Sequence, residues 1–265
     1  MAKPYVRKDR FFQEAKAKSF AARSVFKLEE IDERLRLFKR GDRIIDLGCA
    51  PGSWLQYLTR IAGPKGMVIG YDLAPLTVSP GPNARFYQVD ILTRSPEQIM
   101  TDLGQAVAEQ KRHRADRKAQ ATQEGRAPAS DQAPAVVERT PGEQTDGAEA
   151  IEHPASMQRY RIDAVVSDMA PKLSGVRDAD QARSLGLASH ALGIARALVG
   201  PRGCFVAKVF QGRDLDAFLL EVKGAFKQVK VIRPEATREG SRESFVIGRE
   251  LKPIRGKPTD GDASA

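Results

Sequence analysis

The chain has 265 residues, with 41% hydrophobic and 29% charged side chains and a formal net charge of +9. That length and apolar content suit one α/β domain with additions and exclude a wholly disordered chain. No run approaches the ~20 apolar residues that cross a bilayer, the start Met-Ala-Lys-Pro-Tyr lacks the apolar core of a secretory signal, and two distant cysteines, Cys49 and Cys204, exclude a disulfide scaffold or zinc cluster and point to a reducing cytoplasm.

From the N-terminus, residues 1–40 form a basic segment with 12 Lys/Arg against 6 Asp/Glu. Tyr5, Phe11, Phe12 and Phe20 lie among Arg7, Lys8, Arg10, Lys16, Lys18 and Arg23. Two readings stand open. The cations and rings meet RNA phosphates and unpaired bases, or the rings are the core face of an amphipathic helix. A helical pattern over Phe20–Phe38 places Arg23 and Lys27 on one face, four residues apart.

Short runs rich in β-formers then alternate with helical patterns. The predicted strands are Arg43–Asp46, Met67–Tyr71, Arg85–Val89, Asp163–Ser167, Cys204–Lys208, Val229–Ile232 and Ser244–Ile247. Further helices are predicted at Ser53–Ile61, Ala179–Leu198 and Asp214–Phe226. Alternation of this kind implies a mostly parallel sheet covered on both faces. The link Arg233–Arg242 is too short for a crossover helix, so the last two strands are expected to pair antiparallel near one edge.

Residues 104–157 break the rhythm, with no Leu, Phe, Trp or Tyr and 7 Lys/Arg against 9 Asp/Glu. The rest carries 36 basic and 25 acidic residues, so the basic character belongs to the folded parts. This composition reads as a mobile spacer, 104–158, helical in part around Gln105–Gln120, with a partner-docking arm as the alternative. A tail, 250–265, reads as disordered. The α/β body is then 41–103 with 159–249.

The first strand runs into Asp46-Leu47-Gly48-Cys49-Ala50-Pro51-Gly52-Ser53-Trp54. Ligands of open α/β sheets sit beyond the carboxyl ends of strands. The spacing of Gly48 and Gly52 matches neither the dinucleotide fingerprint nor the phosphate loop, and no lysine follows to hold phosphates. A nucleoside cofactor is favoured over a pyrophosphate one. Asp72 ends the second strand, where an acid accepts from both ribose hydroxyls. Asp90 ends the third, placed for an exocyclic adenine amine. Trp54 is expected to cover one side of the pocket. Each acid alone reads as a cap or turn residue, whereas their joint placement at successive strand ends implies S-adenosylmethionine.

Asp168 ends the fourth strand in Ser167-Asp168-Met169-Ala170-Pro171. Lys208 closes an apolar strand, where an unpartnered ammonium is costly. Glu243 opens the last strand in Ser241-Arg242-Glu243-Ser244.

Five motifs in order carry a resemblance: Arg23-Ser-Val-Phe-Lys27-Leu, Asp46 to Trp54, Ser167 to Pro171, Val206-Ala-Lys-Val-Phe-Gln-Gly212 and Ser241 to Ser244. Over residues 5–103 and 159–249 the chain resembles the FtsJ/RrmJ family of S-adenosylmethionine-dependent RNA ribose 2′-O-methyltransferases. The resemblance implies a Rossmann-like class I methyltransferase fold with a seven-stranded sheet. It implies a catalytic tetrad of Lys27, Asp168, Lys208 and Glu243. It also implies cofactor contacts at Gly52, Trp54, Asp72, Asp90 and Asp168, and RNA contacts at Arg23 and Lys27, without a metal. The substrate it implies is a uridine of 23S ribosomal RNA in the large ribosomal subunit, acted on by a cytoplasmic monomer. Two departures are visible: Ser53 stands where a second glycine is usual, and the 104–158 insertion replaces a short connection. Rival readings are a related enzyme acting on transfer RNA or an RNA cap, and an RNA-binding assembly factor with dispensable catalysis.

In the implied reaction Lys208 is the general base and must lose its proton to act. Lys27 stabilises the developing alkoxide. Asp168 and Glu243 orient the lysines and the methyl donor.

Overall fold

The computed structural model describes residues 10–123 and 161–253. Tyr5, the spacer beyond 123 and most of the tail lie outside the described residues. The elements are α1 (Arg10–Ala17), α2 (Val25–Leu35), β1 (Arg43–Leu47), α3 (Ser53–Ala62), β2 (Met67–Asp72) and β3 (Ala84–Gln88). They continue with α4 (Pro96–Gln123), β4 (Ile162–Ser167), α5 (Arg177–Leu198), β5 (Val199–Phe210), α6 (Leu215–Ala225), β6 (Phe226–Ile232) and β7 (Glu243–Leu251).

The seven strands form one sheet in the order β3-β2-β1-β4-β5-β7-β6. Neighbours from β3 to β5 run parallel, and β7 is antiparallel to both β5 and β6. The antiparallel strand thus sits second from one edge, as the short 233–242 link requires.

Parallel strands bury both faces, and the period of two divides each strand's side chains between two apolar layers. Ile45, Leu47, Val165, Phe205 and Val246 pack with α4, α5 and α6. Ile44, Val68, Val166, Val206, Phe245 and Ile247 pack with α2 and α3. This second layer underlies the site.

Two expected boundaries are corrected. Residues 10–40 are not a segment separate from the body, because Val25, Phe26, Leu28, Ile31 and Leu35 of α2 are buried in the second layer. Phe11 and Phe20 pack against Phe26, with ring centroids 5.7 and 6.3 Å away. The core reading therefore holds for those two rings, whereas Phe12 is exposed. The spacer does not begin at 104: α4 continues to Gln123, with Ala106, Val107 and Gln110 buried. Small and β-branched residues on one helix face suffice for close packing where no Leu or aromatic is present. Composition alone did not reveal that.

Candidate active site

The period that builds the second layer also builds the site. Alternate residues point to the same side of a sheet. One step past the buried Ile44, Val68, Val166 and Val206 come Asp46, Gly70, Asp168 and Lys208 on that same face. Two steps past Val68 is Asp72. Phe210 of β5 pairs with Glu243 of β7, and Lys208 pairs with Phe245. Glu243 therefore shares this face, and α2 crosses above it with Lys27.

Four side chains from four segments meet there as two ion pairs. Lys208 Nζ donates to Asp168 Oδ1 at 2.9 Å and to the Asp168 carbonyl. Lys27 Nζ donates to Glu243 Oε1 in a short contact. Side-chain exposure is 8% for Lys208, 18% for Asp168, 13% for Lys27 and 12% for Glu243. The low exposure weakens solvent screening, and each charge has a partner, which is what keeps buried charges tolerable.

Trp54 is a correction. Its indole is 1% exposed, its Nε1–H donates to the Ser24 carbonyl at 2.9 Å, and its ring lies 5.7 Å from Phe245. A ring so enclosed is a core side chain and not a pocket wall. Its effect is on α2, because Ser24 immediately precedes that helix. Ser53, the departure from the expected glycine, joins the same junction: its Oγ lies 2.9 Å from Ser24 Oγ. Trp54 and Ser53 thus anchor the start of the helix that carries Lys27. Arg23 precedes α2 instead of sharing its face, and its guanidinium donates to the Ala236 carbonyl at 2.7 Å and lies over the Phe11 ring.

The loop between β1 and α3 suits a nucleoside cofactor. Gly52 has φ +114°, and a Cβ there would lie 2.6 Å from Val78 Cγ2. Asp72 is held by Ala50 N–H on Oδ2 and Ala74 N–H on Oδ1, both at 2.8 Å. Asp90 Oδ1 accepts from Leu92 N–H at 3.0 Å. The turn and cap roles of these acids are therefore real. Carboxylate oxygens accept more than one hydrogen bond, so each acid keeps capacity for a ligand.

Asp46, the acid that opens the first glycine motif, is the least satisfied group of the site. It is fully buried, and neither carboxylate oxygen has a hydrogen-bond partner. Burial, then Asp168 and Asp72, push its carboxyl well above the usual range. A run of carboxylates at one strand edge suits a ligand bearing a sulfonium and an ammonium. The sequence signal was available: an acid inside an otherwise apolar strand.

The sign of that shift gives a prediction. The unfolded chain ionises near pH 3.9, whereas the folded protein holds the proton to higher pH. Asp46 costs no stability below about pH 4 and costs progressively more as pH rises. Asp46→Asn is therefore expected to melt above wild type at pH 8, with the gap closing toward pH 4. Thermal melts of both proteins across that range check this, and a gap independent of pH would defeat it.

Asp180 was missed altogether. It accepts from Ser174 N–H and Ser174 Oγ–H, each at 2.8 Å, from Gly175 N–H at 3.2 Å, and from Arg183. These bonds, the Ser174 amide first, hold its carboxyl down at about 2. Its stabilisation is complete above about pH 4 and is lost as pH falls from there toward about 2. The bonds fix the loop that follows Asp168, on which Leu173 and Val176 stay exposed. Asp180→Ala should raise the KM for substrate about tenfold and leave S-adenosylmethionine affinity unchanged. Steady-state kinetics with cofactor calorimetry test it, and equal loss of both would instead mark general unfolding.

The sequence model of the FtsJ-like methyltransferase family matches residues 20–251. The chain belongs to that family. Ribosomal RNA large subunit methyltransferase E of Bdellovibrio bacteriovorus is 36% identical over 248 residues, covering 94% of this chain and 99% of that one. The protein of the same name from Myxococcus xanthus is 37% identical, covering 94% and 91%. A solved Plasmodium falciparum chain assigned as a ribosomal RNA methyltransferase superposes with a TM-score of 0.60 at 19% identity, covering 88% of this chain and 98% of that one. It supports the fold.

As an FtsJ-like methyltransferase, the chain uses S-adenosylmethionine as its methyl donor. Gly52 lies in the loop after β1, and Asp72 and Asp90 lie at and just past the ends of β2 and β3, where ligands of open α/β sheets sit. Among the described residues no group of three or more His, Cys, Asp or Glu is placed to bind a metal ion. No described helix is long and apolar enough to cross a membrane.

Proposed function

We propose that the chain methylates a ribose 2′-oxygen of RNA in the large ribosomal subunit, the target being a uridine of 23S ribosomal RNA. The observation that carries this reading is the pair of ion pairs, Lys208–Asp168 and Lys27–Glu243, beside the cofactor loop. The names of the relatives support the substrate. A ribose hydroxyl is a very weak acid, so the protein must align it and remove its proton. The cofactor, when bound, supplies an activated methyl group. Lys208 takes the hydroxyl proton, and Asp168 holds its ammonium in place from Oδ1 and the carbonyl. Lys27 stabilises the developing negative oxygen, and Glu243 holds Lys27. Arg23 and Lys27 face the RNA. The enzyme acts as a cytoplasmic monomer without a metal.

The test is transfer of labelled methyl from S-adenosylmethionine to large subunits that lack the modification, with small subunits and bulk transfer RNA as alternatives. Label confined to large subunits is expected. Label on transfer RNA would keep the chemistry and overturn the substrate. Full rescue of a deletion strain by Lys208→Ala would favour an assembly role.

A further inference from the structure

Helix α4 extends past the body that it packs on. Among the described residues of α4, Val107 and Gln110 are the last buried, and 111–117, 119 and 120 are all exposed. Over 111–117 the sequence is Lys-Arg-His-Arg-Ala-Asp-Arg, four cations against one acid. Residues 111–123 span about 20 Å at helical rise.

The direction of this arm is set at its root. Gln110 Nε2 donates to the Gly66 carbonyl at 2.9 Å and to the Pro64 carbonyl at 3.3 Å, and Arg114 Nη1 also donates to Pro64 O at 3.3 Å. Pro64–Gly66 is the turn that enters β2 at Met67, whereas Asp72 and the cofactor loop lie at the other end of β2. The arm therefore leaves from the sheet edge opposite the catalytic pairs. Exposed Lys65, Lys39 and Arg40 stand at the same edge. The turn carrying Lys39 and Arg40 is tied there by Gly41 N–H to the Ala62 carbonyl at 2.8 Å.

A helix without an apolar face gains nothing from packing, and one this short is marginal alone. Lys111, Arg114 and Arg117 recur at three-residue spacing, which sets like charges side by side. Neutralisation by a polyanion removes that repulsion and releases counterions. A membrane fits less well, because surface helices insert an apolar face that this segment lacks.

We propose that this edge is a second RNA-binding surface, holding ribosomal RNA phosphates remote from the nucleotide being methylated. It rests on the RNA reading above and adds a docking site that the catalytic end does not supply. The protein would grip the particle at two places about a strand length apart, roughly 20 Å.

The test uses the full chain with Lys111→Gln, Arg112→Gln, Arg114→Gln and Arg117→Gln together, since glutamine keeps the helix. Affinity for an RNA duplex of about 30 base pairs is read by fluorescence anisotropy across salt concentrations. KM is read with large subunits and with a short stem-loop carrying only the target loop. Duplex affinity should fall at least about tenfold, with a salt slope shallower by about 3. KM on large subunits should rise about tenfold, while kcat and stem-loop turnover stay unchanged. A charge-keeping variant, Lys111→Arg with Arg112, Arg114 and Arg117 each →Lys, should retain wild-type affinity. An unchanged slope and KM would overturn the proposal. Equal loss in the charge-keeping variant would overturn it as well. If wild type methylates no RNA, the function above fails, while duplex affinity still decides this proposal.

Discussion

Lys208→Arg is expected to slow methyl transfer by about a thousandfold while S-adenosylmethionine affinity stays within about twofold. General-base contributions run from roughly a hundred- to ten-thousandfold. The substitution isolates the proton from the charge, because a guanidinium does not deprotonate in a protein. Arginine would still pair with Asp168, so the local charge balance is kept. Lys208 is 8% exposed, and its strand neighbours Ala207 and Val209 are fully buried. Lys208→Ala makes a harsher change, leaving Asp168 without its cation, and serves as the complementary variant. Lys27 needs only to be positive in the proposed scheme, so Lys27→Arg should keep a larger share of turnover than Lys208→Arg. Single-turnover rates at saturating cofactor, with calorimetric cofactor binding, separate the cases. Comparable activity in Lys208→Arg and wild type would remove the base assignment, and equal damage from both arginine variants would make the lysines interchangeable charges.

The fold was legible where periodicity is strong. All seven strands and the antiparallel pairing follow from short β-rich runs and from a link too short for a helix. The site was legible where chemistry contradicts environment: Lys208 in an apolar strand and acids at successive strand ends are conspicuous in one dimension. What stayed hidden depends on partners distant in sequence. Trp54 reads as a ligand-facing aromatic until Ser24 and Phe245 are seen to enclose it. Asp180 reads as one of two acids in a first helical turn until Ser174 and Gly175 are found on its carboxylate. Arg23 reads as a helix-face neighbour of Lys27 because the pattern does not show that α2 starts two residues later. The end of α4 failed for another reason: its last packing positions, Ala106, Val107 and Gln110, lie inside a composition that looks unfoldable as a whole.

Gly48→Ala is expected to cost about 2–5 kcal/mol of stability and at least a hundredfold in kcat/KM, and the two losses share one cause. Gly48 has φ +75°, a conformation that costs an L-residue ~1–2 kcal/mol. A Cβ there would also stand 2.9 Å from the Met169 nitrogen and Cα and 2.8 Å from its Cγ. Two of those atoms are backbone and cannot rotate away, so overpacking adds roughly 1–3 kcal/mol. The segment that must yield follows Asp168, whose own N–H donates to the Leu47 carbonyl at 3.1 Å. Displacement of that segment moves Asp168 and, through it, Lys208, and a shift near 1 Å in reacting groups can cost a hundredfold. Gly41 provides the control. Its φ is +91°, yet a Cβ there meets nothing within 4 Å. Gly41→Ala should therefore lose only the strain term, about 1–2 kcal/mol, and keep its turnover. Denaturant unfolding of both variants gives the stability difference, and kcat/KM measured well below either midpoint gives the catalytic one. Equal stability loss with intact catalysis in both would mean that the segment after β4 accommodates the methyl group, and that the cofactor loop and the catalytic pair are not coupled through Met169.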